Sequence, residues 1–138
     1  MRAAARGEEA AGARRSGGAR VDGRDEGQRL RAAALGGELG RRATLVQFSS
    51  AFCAPCRATR RVLGEVAGMV PGVVHVEIDA EARLELVRAL GVRETPTVLV
   101  LDAAGRIVRR ATGQPRKADV IAALGEAVEA GRTTDRSG

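Results

Sequence analysis

The sequence predicts an α/β protein with one central mixed β-sheet flanked by helices on both faces. Three observations lead there. Apolar runs of strand character alternate with apolar residues at helical spacing, in the order strand–helix–strand–helix–strand–strand–helix. The first two strands flank a helix, so they should lie parallel, joined by a right-handed crossover. The last two are separated by Asp102-Ala103-Ala104-Gly105 alone, a turn short enough to make them an antiparallel hairpin. Helices that link strands of a single sheet bury their apolar stripes against its two faces.

Taken in order, residues 1–27 read as a flexible tail. They are Gly, Ala, Arg and Glu with almost no bulky apolar residue, so they have little to bury against the entropy of ordering. From Gln28 to Gly40 a short helix is expected, with Leu30, Leu35 and Leu39 as its apolar positions and room for a short edge strand near Leu30. Thr44 to Ser49 reads as a buried strand. Cys53 to about Gly68 reads as a helix with Val62, Leu63, Val66 and Met69 toward the core. Val73 to Ile78 is a second strand, and Ala80 to Leu90 a helix carrying Leu84, Val87 and Leu90, stopped by Gly91. Thr97 to Leu101 and Arg106 to Ala111 form the hairpin. The last helix begins near Pro115 and turns Val120, Ile121, Leu124 and Val128 inward. The expected domain is 28–131, followed by a frayed 132–138.

Composition narrows the function. With 138 residues and 44% hydrophobic residues the chain can build one core. A net charge of +6 invites a nucleic-acid reading, but the arginines are scattered among Asp and Glu, and no basic run is joined to aromatics that could stack on bases. The two aromatic residues, Phe48 and Phe52, both lie close to Cys53. No run approaches the ~20 apolar residues of a membrane span. There is no apolar signal core near the N-terminus either, so a cytoplasmic location and no membrane partner are expected.

Cys53-Ala54-Pro55-Cys56 follows a strand and opens a helix. Two intervening residues in a helical first turn bring the sulfurs within bridging range. At the helix start, Cys53 faces unsatisfied N–H groups and the positive end of the macrodipole, which favour a thiolate. Pro55 sits where a missing N–H matters little. Cys56, a turn further in, should be more buried. The same pair could be half of a zinc site, with His75 as the one further soft ligand. A redox-gated binding module also fits. Neither a glycine-rich dinucleotide fingerprint nor a phosphate loop is present, so no cofactor is expected.

The segment from Leu45 to Cys56 resembles the active-site stretch of the thioredoxin family, whose usual motif is Trp-Cys-Gly-Pro-Cys. Val92-Arg93-Glu94-Thr95-Pro96-Thr97 resembles that family's cis-proline loop, and Gly105 and Gly113 match further family glycines. The resemblance covers about Leu39 to Ala130 and implies a thioredoxin fold and a monomeric thiol–disulfide oxidoreductase that reduces protein disulfides. It implies that Cys53 attacks and Cys56 resolves. Pro96 would pack on the disulfide, Thr95 would offer backbone groups to an extended substrate, and Gly113 would keep the groove open. Disulfide-bearing proteins would be substrates, and a reductant such as thioredoxin reductase would reset the pair.

Four positions depart from the family pattern. Phe52 stands in place of Trp, and Ala54 in place of Gly. Gln47 stands where the family buries an Asp, and His75 where that Asp has a Lys neighbour. Alternation directs Gln47 and His75 to one region beneath the cysteines. Gln cannot titrate, whereas His can, so His75 is a candidate to assist deprotonation of Cys56. The plainer alternative is a His that fills a semi-polar core position or points to solvent.

Overall fold

The computed structural model describes the backbone of residues 20–21 and 28–137 and the side chains of residues 28–131. Its strands are β1 (Arg20–Val21), β2 (Ala43–Ser49), β3 (Val73–Asp79), β4 (Thr97–Asp102) and β5 (Ile107–Thr112). Its helices are α1 (Ala32–Leu35), α2 (Ala54–Met69), α3 (Leu84–Leu90) and α4 (Lys117–Ser137). The sheet order is β1-β5-β4-β2-β3. As expected, β2 and β3 are parallel across α2, while β4 and β5 form the antiparallel hairpin.

All seven residues of β2 are buried, and the strand is paired on both edges, with β3 and β4. Alternation then sorts its side chains. Val46 and Phe48 join Leu30, Leu35, Ile78, Leu90 and Leu99 on the face covered by α1 and α3. Ala43 and Leu45 join Leu63, Val66, Val98, Val120 and Leu124 on the face covered by α2 and α4. Gln47 falls on this second face, below the start of α2.

Several boundaries differ from the sequence reading. Helix α1 covers only Ala32–Leu35 of the stretch expected to be helical. The preceding residues run beside the hairpin instead, with Leu30 N–H donating to Gly105 C=O at 2.8 Å and Ile107 N–H to Gln28 C=O at 2.7 Å. Gly105 makes this approach possible. Its φ is +86°, and a Cβ there would lie 2.2 Å from the Leu30 carbonyl oxygen. Helix α3 starts at Leu84 rather than Ala80, because the Asp79 carboxylate accepts the Glu81 N–H at 2.9 Å and holds a turn there.

Met69, Leu84 and Ile121, which sequence spacing turns inward, are exposed. Met69 and Leu84 are terminal residues of their helices. Ile121 lies one position off the stripe of Val120, Leu124 and Ala127 that meets the sheet. Most of the expected tail lies outside the described residues. Within it, Arg20 and Val21 pair with Thr112 and Ala111, a contact that needs only backbone groups and no apolar face. The backbone of α4 stays helical to Ser137 where fraying was expected, since Gly131 does not break it.

Arg110 is a core residue that the sequence reading does not anticipate. It is 3% exposed, and its guanidinium donates to the carbonyls of Leu90 and Gly91 at the C-terminus of α3. A cation there meets the negative end of the helix and carbonyls that lack helical partners. Replacing it by Met keeps the apolar stem but strands those carbonyls. Arg110→Met should lower the unfolding free energy by about 1–3 kcal/mol, the cost of unpaired buried polar groups. Urea unfolding measures this, and a variant as stable as the parent would remove Arg110 from the account of α3.

Candidate functional site

The chain leaves β2 at Ser49, turns through Ala51 and Phe52, and enters α2 with Cys53 as its N-cap. Phe52 has φ +56° and a fully exposed ring. Cys53 has extended backbone angles, and its sulfur accepts the Cys56 N–H at 3.2 Å. The N-cap sulfur thus takes up one of the N–H groups that the first turn leaves open. Pro55, in that turn, has no N–H to satisfy. Cys53 and Cys56 are joined as a disulfide with 5.2 Å between Cα atoms. Cys53 is partly exposed and Cys56 is 1% exposed.

A second loop closes on this turn. The Thr95–Pro96 peptide is cis. The Thr95 carbonyl oxygen lies 4.0 Å from the Cys53 sulfur, and the Thr95 and Ser50 hydroxyls are hydrogen-bonded at 2.7 Å. Pro96 is buried, and its carbonyl accepts the Gly113 N–H at 2.9 Å. Gly113 has φ +96°, a conformation that a residue with Cβ adopts only with strain. Cys53, Thr95 and Gly113 are thus brought together around the buried Pro96, with Phe52 next to Cys53 in the chain.

Beneath the cysteines lies a continuous polar chain. The buried Gln47 donates from Nε2 to the Cys56 carbonyl at 2.8 Å and to Ser49 Oγ at 2.9 Å. Ser49 donates to Glu77 Oε2 at 2.7 Å. Glu77 accepts two hydrogen bonds from Arg60 of α2, at 2.6 and 2.8 Å. On the other side, Gln47 Oε1 and His75 Nε2 are 3.0 Å apart. A carbonyl can only accept, so the Gln47 nitrogen is the atom that faces Cys56, and its oxygen faces His75. His75 Nε2 must then carry the proton, leaving the lone pair on Nδ1.

Gln47 and His75 thus meet as the sequence led one to expect. Their link runs to the Cys56 backbone carbonyl, not to its sulfur. Ser49, Arg60 and Glu77 escaped the sequence reading. A signal was present: in the parallel ladder Gln47 is the partner of Glu77, and Glu77 lies two residues beyond His75 on the same face. Among the described residues no group of three or more His, Cys, Asp or Glu side chains converges as a metal would require. No helix among them is long and apolar enough to cross a membrane.

This sheet, with a half-buried cysteine pair opening α2 against a cis-proline loop, defines the thioredoxin-fold class. Within that class the chain belongs to the thioredoxin-like family: a family model described as a thioredoxin-like domain matches residues 32–128. Thioredoxin H5 of Oryza sativa subsp. japonica is 33% identical over 57 residues, which is 41% of this chain and 42% of that protein. Putative thioredoxin 2 of Streptomyces coelicolor is 32% identical over 57 residues, again 41% and 42%. The matched stretch therefore spans about two fifths of these relatives. Among solved structures, a mutant thioredoxin from Halobacterium salinarum superposes with a TM-score of 0.58 at 22% identity, covering 64% of this chain and 76% of the other. Fasciola hepatica thioredoxin gives 0.56 at 22% identity, covering 64% and 83%. At that identity the two structures bear on the fold alone.

Burial lowers the His75 pKa from its usual 6.5. The nearby Glu77 carboxylate opposes this, and the Arg60 cation adds a smaller push downward. The Arg60 hydrogen bonds, supported by Ser49, hold the Glu77 carboxyl below its usual 4.5 although burial opposes them. Both shifts weaken the fold in acid. The unfolded chain protonates His75 near 6.5 and the folded chain only lower, so stability is full above 6.5 and declines as pH falls below it. The contribution of Glu77 is present above 4.5 and is lost as pH falls through its lower folded value. In urea unfolding across this range, His75→Gln should flatten the first decline and keep the second. A parent and variant with the same slope just below 6.5 would clear His75 of that role.

Proposed function

We propose that this chain is a thiol–disulfide oxidoreductase that reduces disulfides in proteins. The observation that carries the reading is the asymmetry of the bridged pair: Cys53 caps α2 and is partly exposed, whereas Cys56 is buried one turn in. In the reduced protein the N–H groups at the start of α2 favour a Cys53 thiolate. That thiolate attacks one sulfur of a substrate disulfide, and the other sulfur leaves as a thiolate that takes a proton from water. Cys56 then loses its proton to water and attacks Cys53 Sγ. The bond from Cys53 to the substrate breaks, the second substrate thiol departs, and the Cys53–Cys56 disulfide remains. Two electrons have passed from the dithiol to the substrate.

The surrounding residues suit an extended polypeptide. Thr95 presents its backbone beside Cys53 in the manner of strand addition, Phe52 supplies an apolar flank, and Gly113 leaves the neighbouring backbone uncovered. Pro96 packs behind the disulfide, and Ala54 and Pro55 shape the turn between the sulfurs. The resemblance to thioredoxins supports a flavin-dependent thioredoxin reductase as the reductant, a monomeric state and a cytoplasmic setting.

The test is reduction of insulin by dithiothreitol, followed by turbidity. The parent should accelerate it catalytically. Cys53→Ser should abolish the acceleration, and Cys56→Ser should accumulate mixed disulfides with substrate. At neutral pH an alkylating agent should label Cys53 of the reduced protein before Cys56. Thiol titration in proportion to protein, with no turnover, would replace this reading by a redox-gated binding module. Preferential labelling of Cys56 would reverse the two roles.

A further inference from the structure

The polar chain below the cysteines has a fixed polarity, and its far end determines it. Gln47 commits both amide protons, one to the Cys56 carbonyl and one to Ser49 Oγ. Ser49 must then pass its own proton outward, and Glu77 Oε2 receives it. An ionised carboxylate suits that end because it only accepts. Oε2 also accepts one Arg60 N–H, so a carboxamide at position 77 would keep its oxygen there and the chain would stay intact, whereas alanine removes the acceptor altogether. With alanine at position 77 the Ser49 proton would lose its acceptor in a site that is 6% exposed. Relief would require Gln47 to rotate, placing its oxygen against the Cys56 carbonyl.

We propose that Glu77 is a positioning residue for the resolving cysteine: through Ser49 and Gln47 its carboxylate holds the first turn of α2 so that Cys56 Sγ is aligned on Cys53 Sγ. The inference rests on the reductase reading and deepens it. Three features favour it. Every link is a hydrogen bond of 2.7 to 2.9 Å between buried or half-buried groups, with donors and acceptors matched throughout. Arg60, which fixes the outer end of Glu77, sits on α2 itself, one turn beyond Cys56, so the chain leaves the helix at Cys56 and returns to it at Arg60. The chain reaches Cys56 and not Cys53, whose sulfur is contacted by the Cys56 N–H and lies beside the Thr95 carbonyl. Glu77 should therefore act on one step of the exchange and leave the other alone.

The two steps can be timed separately. The fully reduced chain is mixed with an aromatic disulfide reagent that releases a coloured thiolate. The first release reports attack by Cys53, and the second reports attack by Cys56. Glu77→Ala and Ser49→Ala should each slow the second release about three- to tenfold, the range spanned by one hydrogen bond, and leave the first unchanged. Ser49→Thr, which keeps the hydroxyl, should restore the parent rate. Combining Glu77→Ala with Ser49→Ala should be no slower than Ser49→Ala alone, because both cut the same chain. A second release at the parent rate in Glu77→Ala overturns the proposal. So does an equal slowing of both releases, or additive slowing in the double variant. If the parent itself yields only the first release, the reductase reading falls and this inference falls with it. If the parent yields both and Glu77→Ala matches it, the inference alone falls.

Discussion

Strand β2 has neither a free edge nor a free face, and the polar side chain it carries at position 47 cannot escape to water. Gln47 is wholly buried, so its amide must find partners inside the protein. An unpaired buried donor or acceptor costs about 1–3 kcal/mol, comparable to deleting a methyl group or two from the core. The partners available are the first turn of α2, Ser49 of the same strand, and His75 of β3. Satisfying one amide therefore ties the cysteine helix to two adjacent strands. The apolar core fixes the distance between helix and sheet, whereas this amide fixes which carbonyl of the helix sits above which strand residue.

Where the thioredoxin pattern places an Asp and a Lys, this chain has Gln47 and a neutral His75. A buried ion pair gains little net stability, because desolvation of both charges offsets their attraction. Here the buried partners beneath the cysteines are neutral hydrogen-bonding groups, Gln47 and Ser49, and the charges of this polar chain stand farther out, on Glu77 and Arg60. Both of those side chains retain contact with solvent. Such a pair contributes little to stability by itself. Its importance lies in orientation, since both carboxylate oxygens meet Arg60 while one of them also receives the Ser49 hydroxyl. The arrangement puts the carboxylate at the outer end of the polar chain, with a neutral amide between it and the Cys56 carbonyl.

Much of this could be read from the residues. The strand–helix alternation, the short hairpin turn and the Cys-x-x-Cys at a helix start are local patterns, and each survived into the structure. The meeting of Gln47 and His75 followed from period-two alternation on neighbouring strands. What escaped depended on geometry that no local pattern encodes. The rotation of α2 about its axis decides that Arg60 meets Glu77. The Asp79 side chain shortens α3, and the hairpin turn draws residues 28–30 into extended pairing where leucine spacing had indicated helix. Arg110 is scattered among other arginines in sequence and becomes a helix cap only because β5 passes the end of α3.

Phe52 carries a different kind of consequence. A β-carbon at φ +56° sits in a region that glycine and asparagine occupy more readily, and such backbone strain is of order 1 kcal/mol or more. The ring gains nothing in return from the core, because it is entirely in solvent. The position therefore costs folding free energy that burial does not return, and the whole apolar area of the ring stays open to solvent next to Cys53.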